Sequence, residues 1–158
     1  MTSTITLDRK AAVSLVEITR ETVRAITALK VGDAQNRFVA SNAVSIAQAY
    51  FEGDKAWFRA IYAADTPVGF LMLYDDPAIP EYFLWRFMID ARYQRLGFGR
   101  RALDLLVGHV RSRPNAAELG VSCVLAEDGP CPFYEKYGFV ATGEMDDDEL
   151  VMKLKLPA

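Results

Sequence analysis

The sequence predicts a single α/β domain built on a mixed β-sheet with flanking helices. Strand-like and helix-like segments alternate along the chain, and residues 81–126 form a strand–helix–strand unit typical of a right-handed crossover between parallel strands. The other strands are separated by short turns, which is typical of antiparallel hairpins. The 158 residues contain no internal repeat and no linker rich in Pro, Gly or Ser. We therefore expect one domain over residues 1–158.

The first half of the chain predicts a strand, two helices and a hairpin of two strands. Thr19 is a typical helix cap, and apolar residues recur after it and again after Ser41 at helical spacing. Asp65 and Pro67 favour a tight turn between the two hairpin strands. The expected ranges are 13–18, 19–29, 41–51, 56–63 and 68–74.

The second half predicts a long aromatic strand, the longest helix, a further strand, a short helix and a closing hairpin. Ala102, Leu103, Leu106 and Val110 give the long helix one apolar face. Gly138 is a typical residue to end the short helix. The expected ranges are 81–90, 96–111, 120–126, 133–137, and 139–142 paired with 150–156 across 144–149.

Composition excludes several classes of protein. The net charge of −3 argues against a nucleic-acid binder, and no apolar run is long enough to cross a membrane. The two cysteines, Cys123 and Cys131, are too few for a disulfide framework and lack the spacing of a metal site. We expect Cys131 to be a small packing residue in a reduced, cytoplasmic protein with no secretory signal and no metal.

A glycine-containing turn between residues 93 and 101 is the most informative segment. Gly97 and Gly99 allow a ligand to approach the backbone closely, and the first amides of the following helix have no partner within the helix. These amides and the helix dipole favour an anion, and Arg95, Arg100 and Arg101 add positive charge. The turn therefore predicts a pyrophosphate site. It matches neither the nucleoside-triphosphate loop nor the dinucleotide fingerprint.

The pattern Gln94-x-x-Gly97-x-Gly99 after a strand resembles the acyl-CoA signature of the GNAT superfamily. Residues 132–139, which read Pro-Phe-Tyr-Glu-Lys-Tyr-Gly-Phe, resemble that superfamily's Tyr-x-Lys-x-Gly-Phe segment. The resemblance implies a GNAT-like fold that binds acetyl-CoA as acetyl donor, with the pantetheine arm paired to the backbone of residues 87–89. The cofactor-binding residues that it implies are Phe87, Met88, Ile89, Gln94, Arg95, Leu96, Gly97, Phe98, Gly99, Arg100 and Lys136.

The chain departs from the common form of the superfamily just before its tyrosine. Many members carry an Asn seven residues earlier, where this chain has Glu127, and the contact of that Asn is open to Glu127 or Asp128. The variant Gly-x-x-Pro-Phe-Tyr at residues 129–134 resembles the bacterial spermine/spermidine acetyltransferases, as do residues 84–90 and 38–42. This implies a small polyamine acceptor. Acetylation of a protein N-terminus or lysine, and a non-catalytic acyl-CoA-binding module, are the alternatives. Members of the superfamily often pair, so a homodimer is also expected.

The resemblance gives Tyr134 the role of proton donor to the departing thiolate. Glu81 is the candidate base, because period-two counting places it on one strand face with Phe83, Trp85 and Phe87. A solvated residue after Pro80 is the alternative for Glu81. The rival bases are Glu17, Glu21, Glu52, Asp75 and Asp76.

Three other features are expected to be structural. The aromatic stripe formed by Phe83, Trp85 and Phe87 is typical of a core, and His109 is expected on a helix flank. The acidic run at residues 146–149 favours a solvated turn, although its charge suits a polyamine. Arg86, on the face opposite the stripe, is open to a partner carboxylate or to the cofactor.

Overall fold

A computed structural model describes residues 7–32 and 40–157 of the chain. One seven-stranded sheet has the order β1-β2-β3-β4-β5-β7-β6, in which β4 and β5 are parallel and all other neighbours are antiparallel. The predicted α/β class, mixed sheet and parallel crossover are therefore confirmed. The elements are β1 Val13–Val16, α1 Val23–Thr27, α2 Asn42–Glu52, β2 Ala56–Ala63, β3 Thr66–Asp76, β4 Glu81–Ile89, α3 Phe98–Arg111, β5 Glu118–Val124, α4 Cys131–Tyr137, β6 Val140–Asp146 and β7 Glu149–Lys155.

Helices cover both faces of the sheet. Successive side chains of β3 point to opposite faces of the sheet. Leu71 and Leu73 pack in the cluster beneath α3. Phe70 and Met72 pack in the cluster beneath α1 and α2. The α3 face also buries Leu103 completely, as its helical spacing predicted. Burial of one such side chain contributes roughly 1.5–3 kcal/mol. The sheet that carries the glycine-containing turn is therefore packed on both faces.

Helix and strand ends differ from the predictions where local hydrogen bonds intervene. α1 begins at Val23 because the Thr22 hydroxyl accepts the Thr19 amide proton in a preceding turn, so Thr19 is not the cap. α3 begins at Phe98 because Gly97 adopts the left-handed conformation. β6 and β7 extend into the expected loop, which leaves a turn at residues 147–148. None of the described helices is long and apolar enough to cross a membrane.

A β-bulge in β4 separates two strands that the sequence predicted to run side by side. Leu84 pairs with Leu73 and Arg86 pairs with Met72, so Trp85 is the extra residue. Parallel pairing to β5 covers Phe83 and Leu84 alone, although β4 continues to Ile89. Beyond the bulge the two strands therefore part and leave a gap between them. Bulges commonly redirect side chains and end pairing in this way.

The bulge also overturns the predicted single face for Glu81, Phe83, Trp85 and Phe87. After the extra residue, Phe87 packs in the cluster beneath α3, whereas Trp85 packs in the cluster beneath α1 and α2. Period-two counting fails at Trp85 because one additional residue reverses the facing of every later side chain.

A disulfide joins Cys123 at the end of β5 to Cys131 at the start of α4, with a Cα–Cα distance of 5.5 Å. The predictions of reduced cysteines and of Cys131 as a packing residue are therefore wrong. The two residues are eight positions apart, and the short loop between them contains Gly129 and two exposed acidic residues. The disulfide fixes the first turn of α4, and with it Tyr134, to the sheet.

Reduction of this disulfide should lower the thermal stability. Closing a loop of this length stabilises a fold by about 2.5 kcal/mol through the unfolded chain. For a chain of this size that corresponds to a melting temperature roughly 5–10 °C lower in reductant, measurable by circular dichroism. The double variant Cys123→Ala, Cys131→Ala is the control, because its melting temperature should not respond to reductant. Two titratable thiols in unreduced, denatured protein would contradict the disulfide.

Candidate active site

Two cavities meet on the C-terminal side of the β4 bulge. The first, which we call the acidic cavity, has a volume of about 570 Å³ and lies between β4, β5 and the β6–β7 hairpin. The second, which we call the turn cavity, has a volume of about 810 Å³ and lies between the glycine-containing turn, β4 and α4. Phe87, Pro130 and Tyr134 line both. Two ligands bound side by side would meet at these three residues.

The turn cavity is built on the N-terminus of α3. Gly97 is the N-cap residue at φ +83°, and no side chain caps the helix. The first amides of α3 therefore face outward without partners in the helix, in a position suited to an anion. A Cβ atom on Gly99 would lie 3.6 Å from Ile89 and from Phe133, which also line the cavity. The glycines thus leave space immediately beside the amides.

Gln94 fixes the turn to the strand. Its side-chain nitrogen donates a 2.9 Å hydrogen bond to the carbonyl oxygen of Ile89, the last residue of β4. Asp90 begins the turn by accepting hydrogen bonds from the backbone amides of Arg92 and Lys30, both at 2.9 Å. Those bonds and the Arg92 guanidinium hold the pKa of Asp90 below its ordinary value, although burial opposes them. The approach to α3 is consequently well anchored.

Nearly all of the predicted cofactor residues line the turn cavity. Leu96 is the exception, because its side chain packs against the core beneath α3. Arg101, which the sequence analysis placed near the anion, does not line the turn cavity either. Its guanidinium donates hydrogen bonds to the carbonyl oxygens of Ala11 and Arg9. The predicted residues that line the turn cavity are Phe87, Met88, Ile89, Gln94, Arg95, Gly97, Phe98, Gly99, Arg100 and Lys136.

Tyr134 stands where the two cavities meet. Its ring is 5% exposed and packs edge-on against Phe133 and Phe139, with ring centroids 5.4 and 5.5 Å apart. No described residue hydrogen-bonds to its hydroxyl. Burial raises the pKa of Tyr134, and the negative charge of Glu149 raises it further. The phenol therefore keeps its proton at neutral pH and is available as a hydrogen-bond and proton donor.

The acidic cavity carries an excess of negative charge. Among the described residues that line it, four are carboxylates and one, Arg86, is a cation. The Arg86 guanidinium donates hydrogen bonds to the Trp85 carbonyl and, at 3.0 Å, to Gln48, and burial lowers its pKa. The carboxylates are those of Glu52, Glu81, Asp146 and Glu149. Such a cavity favours a cationic ligand.

The candidate bases separate into two groups. Glu81 and Glu52 line the acidic cavity, and both are exposed. Glu17 pairs with Arg59 at 3.6 Å, and Glu21 lines neither cavity. Asp75 and Asp76 are buried and do not line the acidic cavity. Asp75 forms an ion pair with Arg113 at 2.9 Å, and Asp76 forms one with Lys55 at 3.6 Å.

Several residues of the acidic cavity were assigned other roles from the sequence. Phe83, Trp85 and Phe87, the aromatic stripe expected in the core, all line the cavity, while Trp85 and Phe87 also pack against the core clusters. Arg86 lines the cavity as well. The acidic run at residues 146–149 was expected to be a solvated turn, but Asp146 and Glu149 reach the cavity while the two residues between them form the turn. The sequence shows that this run is negatively charged. It does not show the pairing of β6 with β7 that brings Asp146 and Glu149 to the cavity.

His109 lies outside the site. It is on the flank of α3, as predicted, and stacks on Trp57 with ring centroids 3.9 Å apart. Burial lowers the pKa of His109 more than the nearby Asp75 raises it. Its imidazole is therefore part of the packing beneath β2 and β3.

The loop before α4 supplies part of the wall of the turn cavity. Asp128, Gly129 and Pro130 line that cavity, whereas Glu127 does not. The contact that the missing Asn would make stays a prediction, and Asp128 is the candidate that lines this cavity. Of the segment at residues 38–42, residues 38 and 39 lie outside the described part of the chain, and Ala40 lines the acidic cavity. Within residues 7–32 and 40–157, no group of three His, Cys, Asp or Glu side chains could hold a metal ion.

Comparison with known proteins gives a family match over most of the chain. The family described as the acetyltransferase (GNAT) family matches residues 24–139, which include the turn, β4, β5 and Tyr134. A protein of Bacillus subtilis (strain 168) named spermine/spermidine N(1)-acetyltransferase is 28% identical over 158 residues. The match covers 92% of this chain and 99% of that relative.

Solved structures share the fold at lower identity. Ard1 from Thermoplasma volcanium has a TM-score of 0.70 at 21% identity, covering 93% of this chain and 99% of that chain. An aminoglycoside 6'-N-acetyltransferase complexed with coenzyme A has a TM-score of 0.70 at 16% identity, covering 93% and 98%. At these identities the likeness concerns the fold.

Proposed function

Because this chain belongs to the GNAT family of acetyltransferases, which take their acetyl group from acetyl-CoA, we propose that it acetylates a primary amine of a polyamine such as spermidine or spermine. The observation that carries the proposal is the acidic cavity, whose described lining includes four carboxylates and one arginine beside Tyr134. Spermidine and spermine are flexible polycations at neutral pH, so several carboxylates around one pocket suit them. The relative named for this activity supports the same acceptor.

The turn cavity fits the donor. The unpartnered amides of α3 and the exposed side chains of Arg95, Arg100 and Lys136 are suited to the pyrophosphate. The gap between β4 and β5 beyond Leu84 leaves room for an extended pantetheine arm along residues 87–89. Acetyl-CoA supplies the reactive thioester, and the rest of the chemistry belongs to residues where the cavities meet.

The reaction requires that the amine and the thioester be held together. The cavities share Phe87, Pro130 and Tyr134, so an amine in one can attack directly a carbonyl presented from the other. The C–N bond forms, the C–S bond breaks, and Tyr134 donates its hydroxyl proton to the departing sulfur. Glu81 remains the proposed base, since it lines the acidic cavity and can receive the amine proton through water.

A panel of acceptors tests the polyamine assignment. We expect CoA release and an acetylated product with spermidine or spermine, and little turnover with peptides bearing a free N-terminus or a lysine. The physical reason is that a polyamine can meet several of the cavity carboxylates at once, whereas a peptide backbone cannot. Clear peptide turnover beside inert polyamines would replace the assignment by protein acetylation. Acetyl-CoA binding with no turnover of any amine would indicate a non-catalytic acyl-CoA-binding module.

A further inference from the structure

We infer that Glu149, on β7, is the acceptor-binding residue that receives the ammonium group nearest to Tyr134. This role rests on the proposed function. It assigns the contact that orients the acceptor amine to a carboxylate outside β4. Glu149 lines the acidic cavity together with Tyr134, and it is part of the acidic run that the sequence indicated to be a solvated turn. The inference has three independent supports.

The first support is burial. Among the four carboxylates of the acidic cavity, Glu52, Glu81 and Asp146 are exposed, whereas Glu149 is half-buried. The Ser122 hydroxyl on β5 donates a 3.2 Å hydrogen bond to Glu149 Oε2, which holds the carboxylate in place. A positioned and partly desolvated carboxylate binds a cation more strongly than a mobile exposed one.

The second support is an unbalanced charge pair. Asp146 lies directly opposite Glu149 in the β6–β7 hairpin, and both line the cavity. Like charges directly opposite in a sheet are destabilising. The charge of Glu149 acts on the nearby Arg86 and raises the pKa of that guanidinium, although burial lowers it more. The two terminal nitrogens of Arg86 donate to the Trp85 carbonyl and to Gln48 and not to either carboxylate, and one cation beside two carboxylates still leaves a net negative charge. A cationic ligand between the two carboxylates would remove the repulsion.

The third support is proximity to the reacting groups. Tyr134 is 95% buried, yet no described residue bonds to its hydroxyl at the edge of the cavity. Glu149 and Tyr134 both line the acidic cavity, and the charge of Glu149 adds to the effect of burial in raising the pKa of Tyr134. An ammonium held by Glu149 therefore lies beside the hydroxyl that protonates the leaving sulfur. After loss of its proton, the same nitrogen is in place to attack.

Glu149→Gln tests this role without removing the hydrogen bond, because the amide oxygen of Gln can still accept from Ser122. We expect KM for spermidine to rise roughly 10- to 100-fold, the usual effect of losing a hydrogen bond to a charged group. KM for acetyl-CoA should stay unchanged. The melting temperature should not fall, because the substitution also removes the repulsion between residue 149 and Asp146. Asp148→Asn is the matched control, since Asp148 is exposed in the adjacent turn and lines neither cavity. It removes the same charge and should leave both KM values unaltered.

The outcomes separate this inference from the proposed function. Wild-type turnover of spermidine with an unchanged KM in Glu149→Gln would overturn the role of Glu149 and leave the proposed function intact. An equal rise of KM in Asp148→Asn would also overturn it, because a general loss of charge would then explain the effect. A wild-type enzyme that does not turn over polyamines would overturn both. Calorimetric titration of spermidine into the CoA-saturated protein should show the same 10- to 100-fold weakening.

Discussion

Tyr134→Phe should reduce kcat by roughly 10²–10⁴-fold, the usual contribution of general acid catalysis. The variant loses only a hydroxyl that no described residue uses, while its ring keeps the edge contacts with Phe133 and Phe139. Stability and acetyl-CoA affinity should therefore change little. The measurement is kcat at saturating acetyl-CoA and amine for the wild type and the variant. A variant within about threefold of the wild type would remove Tyr134 from the mechanism, because that is less than 1 kcal/mol of barrier.

Two further readouts identify the acid. The loss should shrink with a thioester whose thiol leaves more easily, since a better leaving group depends less on protonation. The wild-type pH–rate profile should show no descending limb below about pH 10, because an unperturbed tyrosine ionises near there and the pKa of Tyr134 is raised from that value. A group with a raised pKa keeps its proton to higher pH. A decline of kcat near pH 8.5 that is absent from Tyr134→Phe would mean that Tyr134 ionises there, which would contradict its raised pKa. A loss of the same size with every thioester would contradict the assignment of Tyr134 as the acid.

Gly99→Val should weaken acetyl-CoA binding by roughly 10- to 150-fold. A Cβ atom there makes only ordinary contacts, at 3.6 Å from Ile89 and Phe133, so the fold should tolerate it. The branches of the valine would occupy space beside the first amides of α3, where the pyrophosphate is proposed to lie. Loss of a single charge-assisted hydrogen bond accounts for the expected range. Isothermal titration calorimetry measures the affinity.

Gly108→Val is the matched control for this substitution. Gly108 lies in the same helix, is exposed, and lines neither cavity, and a Cβ atom on it would meet no atom within 4 Å. Both variants carry the same cost of a valine in a helix. Equal affinity for acetyl-CoA in Gly99→Val and Gly108→Val would mean that the turn only begins a helix.

Features that depend on residues close together in the chain could be predicted from the sequence. The glycine-containing turn, α3 and the crossover from β4 to β5 follow from spacing within short windows, and the structure contains them. Most of the predicted cofactor residues line one cavity for the same reason, since the turn, the end of β4 and the start of α4 each carry a recognisable motif. Local patterns therefore located the donor side of the site.

Features that depend on pairing between distant segments could not be predicted in this way. No local signal places a bulge at Trp85. Period-two counting along β4 takes no account of the extra residue and therefore predicts the wrong face for Phe87. Glu149 reaches the acidic cavity through the register of β7 against β5 and β6, which the sequence does not specify. The disulfide needed the close approach of β5 to α4, for which a pair of cysteines eight residues apart was the one available signal.

Initial-rate kinetics with both substrates varied tests the central claim most directly. Two cavities that meet at Tyr134 predict that donor and acceptor are bound together and that the acetyl group passes directly between them. Double-reciprocal plots of CoA release against spermidine, at several fixed acetyl-CoA concentrations, should therefore give intersecting lines. Mass spectrometry of the enzyme incubated with acetyl-CoA alone should then show unmodified protein. Parallel lines, together with an enzyme that gains the mass of one acetyl group and passes it to the amine, would contradict the account.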